Sequence, residues 1–173
     1  MPTRVTQRIA FDTSVDIGVA GGTGNYTLDA IDLSWADEIT MRVSFTKANT
    51  DAGDTCDVYL QSRGPDGIWT DRIASHQLTG DMSPTTADPE VRDYVLQQFG
   101  TFSDAEEGAE TSGSLGGSRL TAGTVRNGSF PGLFKTAGSP MTPGWRIQIV
   151  VVDAGTDNAD FEGTVYLSTN SSP

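Results

Sequence analysis

Along much of this chain, apolar side chains fall on every second residue. From Glu38 to Lys47, Ile39, Met41, Val43 and Phe45 alternate with Thr40, Arg42, Ser44 and Thr46. That period of two predicts a strand with one wet face. Thr55–Ser62 repeats it: Val58 and Leu60 alternate with Tyr59 and Gln61, and Cys56 shares the Val58 and Leu60 phase. Gly64-Pro65-Asp66-Gly67 is a dense turn signal, and Ile68–Leu78 is the next extended run. Trp145, Ile147, Ile149 and Val151 mark a strong strand whose far end is apolar on both sides, which predicts a central position. Phe161, Val165 and Leu167 mark the last strand.

Two hairpins are expected from these runs. Asn49–Asp54 would join the 38–47 strand to its partner at 55–62, and Ala154–Asp160 would close a hairpin at the C-terminus. Arg4–Val19 reads as one or two strands broken near Asp12–Ser14, and Gly21–Asn25 as a loop. Leu28, Ile31, Leu33 and Trp35 form an extended group, followed by a turn at Ser34–Asp37. The segment Asp88–Phe99 admits two readings. Asp88-Pro89 can start a short helix with Val91, Val95 and Phe99 on one side; the alternative is a strand from Val91 to Phe102. The stretch 103–118 is rich in Gly, Ser and Glu and predicts a flexible loop or arm, and Phe130–Pro143 should be irregular. With roughly eight or more strands at short spacing, the expected fold is all-β: a single-domain antiparallel β-sandwich over 1–173, jelly-roll-like, with long irregular loops.

Composition sharpens this picture. The chain has 173 residues and a net charge of -12, which disfavours nucleic acid and anionic membranes as partners. No window approaches the roughly 18 apolar residues of a membrane span. The N-terminal residues 1–14 contain two arginines but no apolar stretch, so no signal peptide is expected. The glycosylation triplets at Asn25, Asn127 and Asn170 therefore carry no weight. Cys56 is the one cysteine, which excludes an internal disulfide and fits a buried, inert thiol.

Candidate chemistry is sparse. His76 is the one histidine, so a multi-histidine zinc site is excluded; a surface or subunit-contact residue is expected. Gly113–Gly117 lacks the spacing of a nucleophile elbow, and Gly22-Thr23-Gly24 lacks the third glycine of a dinucleotide fingerprint. No catalytic residue, cofactor or metal is expected. Of two aspartate clusters, Asp51/Asp54/Asp57 and Asp153/Asp157/Asp160, the second is the better calcium candidate, although neither has the EF-hand spacing. Trp35 and Trp145 fall in the apolar phase of their runs, which leaves Trp69 as the candidate glycan contact.

The segment Val58–Gly80, VYLQSRGPDGIWTDRIASHQLTG, preceded by ITMRVSFTKAN, resembles a pattern of small virion proteins of tailed bacteriophages. There a strand ending in L-Q-S or L-Q-T enters a D-G-x-W turn and a second strand. The C-terminal WRIQIVVVDAG and DFEGTVYLST are similar to the closing hairpin of the same proteins. The resemblance implies a non-enzymatic head decoration (cement) protein, a β-sandwich or jelly roll on the outer capsid surface of the virion, made in the host cytoplasm. It implies the major capsid protein and copies of itself as partners, with a homotrimer favoured. The alternatives are a tail or fibre component, or a carbohydrate- or receptor-binding module.

Overall fold

The structure, a computed structural model, describes residues 6–13, 23–30, 33, 36–49, 53–63, 68–79, 82–97, 111–112, 118–126, 144–154 and 159–170. Among these there is no helix. In chain order the strands are β1 (Thr6–Asp12), β2 (Thr23–Asp29), β3 (Glu38–Asn49), β4 (Thr55–Arg63), β5 (Trp69–Ala74), β6 (Leu78–Thr79), β7 (Glu90–Gln97), β8 (Thr111–Ser112), β9 (Ser118–Arg119), β10 (Trp145–Val152) and β11 (Asp160–Asn170).

Two antiparallel sheets carry the fold. The first has the order β1-β11-β3-β7, the second β2-β10-β4-β5, with β6 pairing β4 as well. The pairings are nested: β1 with β11, β2 with β10, β3 with β7, β4 with β5. This is the topology of a jelly roll, a long hairpin doubled over into two packed sheets. The β10 strand lies between β2 and β4, central as its two-sided apolar end implied.

The alternating residues meet in the middle. Ile39, Met41, Val43 and Phe45 of β3 and Val165 and Leu167 of β11 oppose Cys56, Val58 and Leu60 of β4 and Ile147 and Ile149 of β10, all buried. Phe11 and Phe45 pack edge to face, with centroids 5.8 Å apart. Opposite Glu162 and Gly163 of β11, β3 bulges, with Thr46 the extra residue. There Gly163 is needed: a Cβ would lie 2.6 Å from the Phe11 ring and 2.6 Å from the Ser44 carbonyl oxygen.

Several expectations are corrected. Neither expected hairpin forms: β3 and β4 lie in different sheets, as do β10 and β11. Between β3 and β4, and again between β10 and β11, the chain passes from one sheet to the other. Alternation identifies the buried side of a strand but not its neighbour, and an arch and a hairpin satisfy it equally. Thr23, Gly24 and Asn25 belong to β2, not a loop, because backbone pairing with Val150–Val152 needs no bulky side chain. The run expected over 68–78 is split into β5 and β6. At the break, Ser75 stands in for the ladder: its N–H donates to the Val58 carbonyl at 2.8 Å and its Oγ accepts from Val58 N–H at 3.0 Å.

The open choice at Asp88–Phe99 resolves as strand β7, with Tyr94 and Leu96 facing the core. Val95, on the outer side, is 46% exposed. Of the stretch 103–118, the structure describes β8 and Ser118, which with Arg119 form a two-stranded ladder; the rest lies outside the described residues. So do Trp35, the Gly64–Gly67 turn, the Gly113–Gly117 glycine cluster and Phe130–Pro143.

Candidate functional site

Asp54 and Asp153, one from each aspartate cluster, lie just before β4 and just after β10. Asp54 is fully buried and its Oδ1 accepts the Ala154 N–H at 2.7 Å, tying the β3–β4 connection to the β10–β11 connection. Gly53, with φ of 100°, allows that close approach, its Cα facing the Ala154 methyl. The Asp153 Oδ2 accepts the Ala159 N–H at 3.4 Å. Both carboxylates accept backbone N–H groups that lie outside the strands. Of the calcium candidates, Asp160 lies apart, with Oδ2 2.5 Å from Lys47 Nζ; Asp157, like Asp51, lies outside the described residues. The acids that converge are Asp12, Asp160 and Glu162, whose oxygens fall within 4.8 Å of one another. Lys47 already supplies a cation there, reaching Glu162 Oε1 at 3.0 Å as well.

The outer face of the first sheet is a row of hydroxyls and exposed charge. A groove of about 490 Å³ runs across it, with Tyr166 among its walls together with Thr40, Ser44, Ser168 and Asn170. The Arg42 guanidinium forks onto Asp93, Nε to Oδ1 at 2.6 Å and Nη2 to Oδ2 at 2.7 Å. That hydrogen bond holds the Asp93 carboxyl below its ordinary range. Arg8 lies 6.0 Å from the Tyr166 ring centroid.

The outer face of the second sheet is built differently. Gln61, Asp71 and Gln148 are all buried there. Strand pairing sets Gln61 opposite Asp71 on one side and Arg146 on the other. Gln61 Nε2 donates to Asp71 Oδ1 at 2.6 Å and to Gln148 Oε1 at 3.0 Å; Gln148 Nε2 donates to Asn25 Oδ1 at 3.4 Å. A chain of hydrogen bonds thus crosses β2, β10, β4 and β5. The Asp71 Oδ2 accepts the Leu120 N–H at 3.1 Å, which fastens the segment after β9 to the sheet. Ile73 bridges Val125 at the same edge.

Aromatic rings and guanidinium groups lie over this ladder. Arg146 donates Nε to Gln61 Oε1 at 2.6 Å and lies 4.2 Å from the Trp69 ring centroid; Arg63 is 5.9 Å from the same ring. Arg119 lies 4.4 Å from the Tyr59 ring and 3.6 Å from Asp71 Oδ1. Burial pushes the Tyr59 phenol up to about 12. Burial, then neighbouring Arg119, lowers the Arg146 pKa. Burial also raises the Asp57 carboxyl, against the hydrogen bond it accepts from Gln77 at 2.9 Å. Trp69, the candidate glycan contact, is half-buried and shares its ring with two arginines.

Cys56 is fully buried, and burial holds its thiol well above its ordinary pKa, which makes it inert. Trp145 is in the core. His76 is exposed, and its backbone N–H donates to the Tyr94 hydroxyl, bridging the two sheets. Sequence reasoning missed the Gln61–Asp71–Gln148 ladder. Its signal, amides and an arginine on the polar phase of two strands, gains meaning only once those strands are paired. Compared with family models, curated proteins and solved structures, the chain matches none.

Proposed function

We propose that this chain is a non-enzymatic structural protein of a tailed-phage virion: a decoration protein that docks as a homotrimer on the outer shell of the head, on the major capsid protein. The observation that carries the reading is the nested pairing of β1–β11, β2–β10, β3–β7 and β4–β5, a jelly roll. That architecture recurs in viral capsid domains, and also in lectins and cupins. A fold alone does not assign a function. The use of the buried acids adds support: Asp54, Asp71 and Asp153 each accept a backbone N–H of the chain itself, a structural duty. The strand-and-turn pattern shared with small phage virion proteins supplies the rest.

The test is size-exclusion chromatography with light scattering, followed by mixing with empty heads. A mass of three chains and saturable binding support the proposal. A monomer that ignores the heads overturns it.

A second reading, a glycan-binding module, is favoured by the hydroxyl-lined groove with Tyr166 in its wall. A glycan array separates the two readings. Binding lost in Tyr166→Ala or Trp69→Ala would support the module and name its face.

A further inference from the structure

The charge of this protein is unevenly placed. It has 23 Asp and Glu against 11 Lys and Arg. Yet Arg63 and Arg146 share one ring on the outer face of the second sheet, and Arg119 stands on the neighbouring ring of Tyr59. Arg72 and Arg126 adjoin at its edge, where Arg126 N–H donates to the Arg72 carbonyl at 2.8 Å. Near Arg119 and Arg146, Asp71 also accepts from Gln61 and Leu120, and Asp57 accepts from Gln77. Among the described residues, Arg146 spends its Nε on Gln61 and its plane on Trp69, and neither Nη group has an acceptor. The Arg119 Nη1 is buried without a hydrogen bond, 3.6 Å from Asp71 Oδ1.

We propose that Arg119 and Arg146, held in place by Tyr59, Trp69 and Gln61, form a docking site for the carboxylates of an acidic segment on a partner protein. The inference rests on the docking role proposed above and names the chemistry of the contact. The Arg146 guanidinium, its stem fixed, loses little freedom on binding and offers its two Nη groups as parallel N–H donors, the geometry a carboxylate accepts, while Arg119, paired with Asp71, adds charge beside it. Arg, Trp and Tyr are also the residue types that dominate protein–protein hot spots. They stand here on strands, not loops, so the Arg146 fork is rigid before the partner arrives. Clustered cations are complementary to an acidic surface and to no basic one.

The probe is a capped tetraglutamate peptide, titrated into the full chain by calorimetry, with the Arg Nε–H signals followed by NMR. Wild type should bind saturably and perturb the Arg146 signal. Arg146→Lys keeps the charge and removes the fork; it should weaken binding about tenfold, the loss of one charge-assisted hydrogen bond. Arg8→Lys, on the other sheet, should leave binding unchanged. Thermal melts of all variants check that they fold. Arg146→Lys binding as wild type does, a capped tetraglutamine that binds equally, or no saturable binding each overturn the proposal. Acetate competing at the same concentration as the peptide overturns the protein-segment part in favour of a small carboxylate. The assay contains no capsid, so its failure leaves the shell-docking reading standing. Loss of head binding with peptide binding intact removes only that reading.

Discussion

The two sheets bury the same kind of inner face and present opposite outer ones. Outside β1-β11-β3-β7, the polar groups are short hydroxyls and a solvated Arg42–Asp93 pair. Outside β2-β10-β4-β5, amides and a carboxylate are buried in one hydrogen-bonded ladder, with arginines stacked above it. A polar residue on the wet phase of a strand therefore has two fates. Left in water, it contributes little to stability; buried in a satisfied network, it becomes costly to remove.

Mutations should separate these fates by size. The largest loss belongs to the core that both sheets share. Phe161→Ala should cost about 4 kcal/mol in urea unfolding, as for other buried aromatic truncations. Next is Asp71→Ala, which strands the Gln61 amide, the Leu120 N–H and the Arg119 charge. It should cost about 3 kcal/mol and speed amide exchange over 118–126. A cost near zero would mean that the ladder does not hold the second sheet. Gly163→Ala should cost about 2 kcal/mol, because the new methyl group collides with the Phe11 ring and the Ser44 carbonyl.

The two faces should also respond oppositely to acid. Asp93 has its pKa lowered by Arg42, so its contribution is present at neutral pH and is lost as pH falls through the depressed value. Asp57 has its pKa raised by burial, so its ionised form works against folding. That cost is relieved as pH falls toward the ordinary aspartate pKa, roughly 3.9. Asp57→Asn should accordingly be more stable than wild type at pH 7, with the gap closing on acidification. Asp93→Asn should show the smallest change of the series, reversed in sign, because the pair is solvent-exposed. Denaturant melts at stepped pH measure both.

Much of the sandwich could be read from alternation. Ile39 to Phe45, Cys56 to Leu60 and Trp145 to Val151 are buried in the expected phase. Partnership could not be read this way. The period of two says which side of β3 or β10 is wet, and nothing in it distinguishes a hairpin from an arch, so both hairpin expectations failed where the chain changes sheets. The choice at Asp88–Phe99 was undecidable for a related reason. Val91 and Val95 suit one face of a helix, while the core contacts come from Tyr94 and Leu96, set by pairing with β3. The basic face was hidden at the same level: Arg119 and Arg146 are distant in sequence, and only the placement of β10 beside β4 and of β9 against β5 brings both near Gln61 and Asp71.

The most direct test of the proposal that this chain docks through its second sheet is hydrogen–deuterium exchange, free and mixed with empty tailed-phage heads. Added protection over residues 55–63, 69–74 and 145–152, with 38–49 and 160–170 unchanged, is the predicted result. Protection confined to β3 and β11, or none on either sheet, would contradict it.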